Sequence, residues 1–299
     1  MGTQWIDLVD PTREEIMHAV PALDPDAIEV LATSSTGTRG IRPLLESHGG
    51  YVFAVVAHPR IYPVEDRVEY LEIDVVAMPS RIVTVRKSGQ RGELAPVDSL
   101  TARADAGAPC GALVHAVVDD AADALLTLID GLYEEIDLLE SDVERLSGVD
   151  MRRRVAELRH ELLLARRTAT GSRGIARRVL DGRVEIGRAE LFPPEVEVLF
   201  VDTYETLVRV TEELDVARDL LAGVRGYYQA KVAEQQNDVA KKLTVIASLV
   251  LVPSFIVGFY GQNFAGEFDD AYWGVGVSVG LIVATTIAQL AIFRLRRWI

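Results

Sequence analysis

Cysteine is nearly absent: Cys110 stands alone in 299 residues. That excludes an intramolecular disulfide and a thiolate zinc cluster built within one chain. No glycine-rich loop follows any strand-like run, so neither a P-loop nor a dinucleotide fingerprint is present. No nucleophile–base pair emerges, and no catalytic residue is assigned. The five histidines, His18, His48, His58, His115 and His160, are scattered without metal-ligand spacing. Positive charge is in deficit: 31 Lys and Arg against 45 Asp and Glu give a formal net charge of -14. Such an acidic balance argues against nucleic acid, whose backbone needs Lys and Arg patches, and nucleic acid is not expected as a partner. Cation binding is compatible with it. Near the start, Asp7, Asp10, Arg13, Glu14 and Glu15 interrupt any apolar core, so a cleaved signal peptide is not expected.

What is present is concentrated at the end. Leu243–Phe259 and Tyr272–Phe293 are two apolar runs without one ionisable side chain. Each fits the roughly 17–25 residues a helix needs to cross a bilayer. Lys241 and Lys242 precede the first run, and Arg294, Arg296 and Arg297 follow the second. The connector carries no Lys or Arg but holds Glu267, Asp269 and Asp270. Basic residues at span ends stay on the cytoplasmic side. The expectation is a multi-pass protein of the cell (inner) membrane, both termini cytoplasmic, the lipid bilayer its partner and the loop outside. A buried hairpin in a soluble core is the alternative.

Four segments follow from patterning. Residues 1–118 read as a mixed α/β cytoplasmic domain. Its candidate strands are Trp5–Val9, Tyr51–Ala57, Tyr70–Ala77 and Arg81–Arg86, with a capping box at Thr12 and Glu15. Residues 119–190 read as an antiparallel helical hairpin, acidic to Leu146 and arginine-rich from Met151. Residues 191–242 read as a stalk helix, and 243–299 as a transmembrane hairpin with an external loop at 260–271. The stalk has a seven-residue beat of Phe200, Leu207, Leu214, Leu221 and Tyr228, with Thr203, Val210, Ala217 and Val224 between. From about Glu195 the helix can run unbroken into the membrane for roughly 65 residues, about 100 Å. Within the span Ala240, Leu243, Ala247, Leu251, Ser254 and Gly258 share one face. Close helix packing and pore lining are equally good accounts of that spacing. Pro253 withholds a donor from Leu249.

Tyr260-Gly261-Gln262-Asn263-Phe264 resembles the Y-G-M-N-F signature of the CorA-type divalent cation transporters. Asn237-Asp238-Val239, Val252–Ile256, the basic end at Arg294–Trp298 and the opening Trp5–Pro11 are similar to that family too. The resemblance spans essentially the whole chain. It implies a funnel-shaped homopentamer: an α/β cytoplasmic domain, long helices, and a two-span α-helical membrane domain. It implies transport of divalent cations, most of all Mg²⁺, with Co²⁺ and Ni²⁺ as further substrates. Mg²⁺ is then substrate and regulatory ligand, and no other cofactor is expected.

The resemblance also distributes roles. The outer filter is Asn263, shaped by Tyr260, Gly261 and Gln262. The pore-facing positions are Gly258, Ser254, Leu251, Ala247, Leu243, Ala240 and Asn237, with Leu251 and Leu243 as apolar constrictions. Asp202 matches a position that binds regulatory cation between subunits, with Glu93 and Asp98 as candidate partner acids. Glu267, Asp269 and Asp270 either concentrate cations at the entrance or form a solvated loop. Lys241, Lys242, Arg294, Arg296 and Arg297 either anchor the spans in anionic lipid or form a basic collar at the inner mouth. Gln262 departs from the usual Met. Two rivals share the architecture: a ZntB-like zinc transporter, and a non-conducting membrane-anchored cation sensor or scaffold.

Overall fold

A computed structural model describes residues 3–33, 41–62, 67–184, 186, 190–263 and 271–298. It divides into two compact units, Met1–Val224 and Arg225–Ile299.

The first unit is built on a five-stranded sheet. Its strands are β1 (Gln4–Val9), β2 (Leu44–His48), β3 (Tyr51–Tyr62), β4 (Arg67–Met78) and β5 (Arg81–Arg86), in the order β1-β5-β4-β3-β2. Only β1 runs parallel to its neighbour, β5; the other pairs are antiparallel. Both faces are covered, which is why Tyr51 to Pro59 in β3 is buried without alternation. One face carries Tyr51, Phe53, Val55, Val76, Val83 and Val85 beneath two short helices, α1 (Arg13–Ala19) and α2 (Pro25–Ala32). The other carries Val52, Ala54, Val56, Leu71, Ile73 and Val75 beneath long helices. Two-residue periodicity sends alternate side chains of one strand to opposite cores.

Local chemistry sets the helix starts. Thr12 closes a capping box on α1: its Oγ1 accepts from Glu15 N at 3.4 Å, and the Glu15 carboxylate accepts from Thr12 N at 2.8 Å. Asp24 and then Pro25 open α2. After α3 (Asp98–Asp105) comes α4 (Cys110–Ser141), which begins nine residues before Asp119, where sequence patterning starts the helix. Cys110 to Val118 is buried on every side, so it has no polar stripe to reveal a helical period. α5 (Gly148–Leu180) is capped by Ser147 and returns against α4, with Arg154 Nη2 2.6 Å from Glu135 Oε2. This is one partly buried pair across the acidic and basic helices; most other ion pairs of α5 lie within its own turns.

α6 (Pro194–Asn263) is a single helix of 70 residues, about 105 Å at 1.5 Å each. Its first part belongs to the sheet unit. Phe200, Thr203, Leu207, Val210, Leu214, Ala217, Leu221 and Val224 are buried along it. Tyr133 Oη donates to Glu213 O at 2.9 Å, and Arg166 Nη1 stands 2.9 Å from Asp215 Oδ1, so this stripe faces α4 and α5. The boundary between units falls after Val224, the last buried member of the beat, and Gly223 and Gly226 flank it. The second unit contains the remainder of α6 and α7 (Ala271–Leu295).

Candidate ion pathway

Within the second unit, α6 has two different sides. Val245 is buried; Ser248, Leu249, Val252, Pro253, Ile256 and Tyr260 are half-buried. At about 100° per residue these positions form one face. On α7 the half-buried positions are Gly274, Ser278, Ile282, Thr285, Thr286, Gln289 and Phe293, a face rich in small residues that allow close approach. Gln289 Nε2 donates to Ser248 O at 3.5 Å and joins the two faces. Each helix holds an apolar window long enough to cross a bilayer, and among the described residues those windows are almost wholly uncovered. A hairpin inside a soluble core would bury those windows, so the uncovered runs fit lipid instead.

The positions assigned to pore lining lie on the other side of α6. Asn237, Ala240, Leu243, Ala247, Leu251, Ser254 and Gly258 lie outside the face that meets α7, with Leu243 exposed at 61% and Leu251 at 70%. By helical rotation they centre opposite that face. Ser254 Oγ donates to Val250 O at 2.7 Å, and Thr244 Oγ1 to Ala240 O at 2.9 Å. Each hydroxyl proton is satisfied by its own helix, which leaves the oxygen lone pairs turned outward as acceptors. α6 carries Gly261, Gln262 and Asn263 in its last turn; the Gln262 and Asn263 side chains lie outside the described residues. Glu267, Asp269 and Asp270 lie outside them altogether.

The basic residues lie away from that turn, Lys241 and Lys242 inside α6 just before its apolar run and Arg294, Arg296 and Arg297 at the C-terminal end of α7. Lys241 Nζ is 3.2 Å from Asp238 Oδ1, and Lys242, Arg294, Arg296 and Arg297 are exposed. α7 stops in a Schellman arrangement. Trp298 N donates to Phe293 O at 2.9 Å, Arg297 N donates to Arg294 O at 3.2 Å, and the Phe293 and Trp298 rings stack at 5.8 Å. Arg297 takes the left-handed conformation, φ 56°, where glycine is usual.

Asp202 is exposed on α6 in the first unit. Neither candidate partner acid joins it in a described contact. Glu93 accepts from Tyr62 Oη at 2.8 Å and faces Arg60 Nε at 3.4 Å, while Asp98 lies in the first turn of α3. Among the described residues no three His, Cys, Asp or Glu side chains are grouped to hold a metal. The described residues of one chain thus form no such group at Asp202.

The next residue, Thr203, belongs to a closed ring that sequence patterning did not find. Arg103 Nη1 donates to His115 Nδ1 at 2.8 Å. Arginine only donates, so Nδ1 accepts and the proton sits on Nε2. Nε2 then donates to Thr203 Oγ1 at 2.9 Å and Leu199 O at 3.0 Å. Thr203 Oγ1 donates to Asp119 Oδ1 at 2.7 Å, and Asp119 Oδ2 returns to Arg103 Nη2 at 3.6 Å. Burial pushes the His115 pKa down, with Asp119 pulling against it and Arg103 adding to it. The ring ties α3 and α4 to α6 one residue from Asp202.

A second buried group lies under α2. Lys87, 3% exposed, donates to Glu72 Oε1 at 2.5 Å and Val30 O at 2.9 Å. Its Nζ also stands 2.8 Å from Asp74 Oδ2, but off the alignment of a hydrogen bond, and neither Asp74 oxygen has a well-directed donor. Asp74 is 0% exposed, and burial pushes its pKa up to about 7 although Lys87 opposes the rise. One cation thus faces two carboxylates. The sequence signal was a pair of acids two residues apart, Glu72 and Asp74, alternating with Leu71, Ile73 and Val75 in β4.

The profile of one family, described as CorA-like Mg²⁺ transporter protein, matches residues 1–297. Over 189 residues the chain is 26% identical to the cobalt/magnesium transport protein CorA of Thermotoga maritima. That match takes in 62% of this chain and 52% of the relative, so it spans about half of the relative's length. The complete structure of the CorA magnesium transporter from Methanocaldococcus jannaschii superimposes with a TM-score of 0.78 at 16% identity, covering 99% of this chain and 91% of that one. The full-length CmaX protein follows with a TM-score of 0.72 at 18% identity, covering 98% and 88%. At such identities the two structures establish the fold.

Proposed function

The chain belongs to the CorA-like Mg²⁺ transporter family, and on that premise we propose that it carries Mg²⁺ across the cell membrane through a pore at the axis of a homopentamer. The observation that carries this reading is the two-sidedness of α6. One face meets α7, and the opposite face, with Leu243, Ala247, Leu251, Ser254 and Gly258, has no covering within the described residues. Five copies would turn that face inward and leave α7 toward lipid. Both termini are then cytoplasmic, as Lys241, Lys242, Arg294, Arg296 and Arg297 require.

The chemistry suits a hydrated ion. Mg²⁺ holds six waters in an octahedron and gives them up reluctantly. A path for the aqua ion needs neutral acceptors that face water, not a carboxylate cage. Ser254 offers an oxygen whose proton is already used. Five Asn263 amides at the outer end would supply the filter, and rings of Leu251 and Leu243 would close the path by excluding water. Glu267, Asp269 and Asp270 would raise the cation concentration at the entrance.

Regulation falls to Asp202. The described residues of one chain form no metal-holding group there, so in this reading a second copy contributes acid and bound cytoplasmic cation would screen the two. Losing it would let like charges repel and loosen the assembly. α6 runs as one helix from Asp202 to the span, so the strain has a continuous path.

The test is flux into liposomes that hold the purified protein and a divalent-ion dye. Mg²⁺ uptake is expected, with Co²⁺, Ni²⁺ and Zn²⁺ as competitors, and it should fall when internal Mg²⁺ is high. Asn263→Ala should abolish it. A zinc flux driven by a proton gradient, with none for Mg²⁺, would select the zinc carrier; absence of any flux would select the sensor. Native mass spectrometry reporting anything but five copies would refute the pore.

A further inference from the structure

Gln289 is costly where it stands. It sits on α7 between apolar residues, in a helix read as crossing lipid, where every polar group needs a partner within the protein. It faces α6, its amide donating to Ser248 O, while its Oε1 is buried without a partner. Hydroxyls elsewhere in the hairpin satisfy themselves on their own helix: Ser248 on Val245, Ser278 on Val275, Thr285 on Leu281. Glutamine is too long and too far around the helix for that, and it reaches across.

What it reaches is Ser248 O, the carbonyl beside the one that Pro253 leaves short of a donor. Pro253 has no N–H, so the carbonyl of Leu249 loses its intrahelical bond, and the ring crowds that same carbonyl. α6 nevertheless continues through Pro253 as helix. Ser248 and Leu249 are adjacent carbonyls on the face toward α7, and Gln289 is level with them. A donor from a neighbouring helix is one of the ways a membrane helix tolerates proline. Leu251 lies inside the same turn, pointing the other way, into the proposed pore.

We propose that Gln289 is a positioning residue for transport: its amide, held on the outer helix, steadies the proline turn of the pore helix and so sets the Leu251 constriction. The inference rests on the transport reading. It differs from the filter and the Asp202 site because Gln289 touches neither ion nor pore.

Full-length protein in liposomes tests it, with Gln289→Met as the variant. Methionine matches glutamine in length and is at home in lipid, but lacks the donor. A change of about threefold in the initial rate of Mg²⁺ influx is expected, the effect of one interhelical hydrogen bond in a bilayer. The decisive step is the same substitution in a Pro253→Ala background, where the alanine N–H gives Leu249 its donor back. There Gln289→Met should leave the rate unchanged. A rate equal to the native one in the first case, or the same change in both backgrounds, overturns the proposal. Hydrogen exchange over the 249–257 segment supplies a readout that does not depend on flux. Gln289→Met should speed exchange with Pro253 present and not in the Pro253→Ala background. If the native protein passes no ion, the transport reading fails and exchange alone decides whether the clasp exists; exchange that is unaltered in both backgrounds overturns it.

Discussion

Replacing Asp74 with asparagine should make the sheet unit more stable at pH 8 and leave it almost unchanged at pH 4. Asp74 is fully buried, its oxygens lack well-directed donors, and Lys87 is already bonded to Glu72 and Val30. Burial raises its pKa from 3.8 to about 7. The sign follows from proton counting. Between those values the folded state holds a proton that the unfolded state has released, so stability falls as pH rises through the window. At about 1.4 kcal/mol per pH unit, that window sets an upper bound of about 4 kcal/mol. Asparagine keeps the shape, carries no charge and offers an N–H, so the penalty disappears. His115 and His58, whose pKa values burial pushes down, give the opposite slope below about pH 6.5, and they cancel in the difference between variant and native protein. The assay is chemical unfolding of the full-length protein, with hydrogen exchange read over β4, from pH 4 to 8. The gap should open with pH. An Asp74→Asn protein less stable than native at pH 8 would refute the reasoning, because it would make the Lys87–Asp74 pair a net stabiliser.

Gly223→Ala and Gly226→Ala should each stabilise α6 by up to about 1 kcal/mol, since a Cβ meets nothing at either position. Thermal unfolding checks it, and a loss of stability would show that these glycines serve another need. His115→Ala should cost about 1–3 kcal/mol by leaving Arg103 and Thr203 without their shared partner; faster exchange in α3 and at the start of α6 is the readout. Gly111→Ala should disrupt the packing of α4, because its Cβ would stand 2.2 Å from Leu191 O; unaltered thermal unfolding would refute that.

The parts legible in the sequence are those where one side of an element meets water or lipid and the other does not. The beat of Phe200, Leu207, Leu214 and Leu221 showed because polar residues separate its members, and the buried stripe follows it. The capping box at Thr12 showed because it is local in sequence. β2 was missed: Leu44–His48 has no β-branched residue, and the sign of it was the Gly49-Gly50 pair that joins it to β3 as a two-residue hairpin. The start of α4 was missed because burial on all sides erases periodicity. The Arg103–His115–Thr203–Asp119 ring and the Lys87 group join residues far apart in the chain. Thr203 alone reads as a member of the stalk's beat and the other side chains as ordinary polar or charged residues, and only the fold brings them together. Gln289 differs. Its cost was visible as a polar residue in an apolar run, while its partner was not.

The two units divide the chemistry of charge between them. The first buries charge and compensates it: Lys87 against Glu72 and Asp74, Arg103 against Asp119 through His115. The apolar windows of the second hold no Asp, Glu, Lys or Arg, and there only backbone, hydroxyl and amide groups are polar. A buried carboxylate in the pore helix would hold a divalent cation too tightly to release it, since conduction needs sites weak enough to leave. A bare apolar path would stop the aqua ion altogether. Hydroxyls whose protons are spent on their own helix lie between those limits. Ser254, on the proposed pore face, presents lone pairs and no competing donor, so it would favour the waters of a cation and offer nothing to an anion. In the proposed pore, selection for positive charge would thus be written into a span that contains no formal charge.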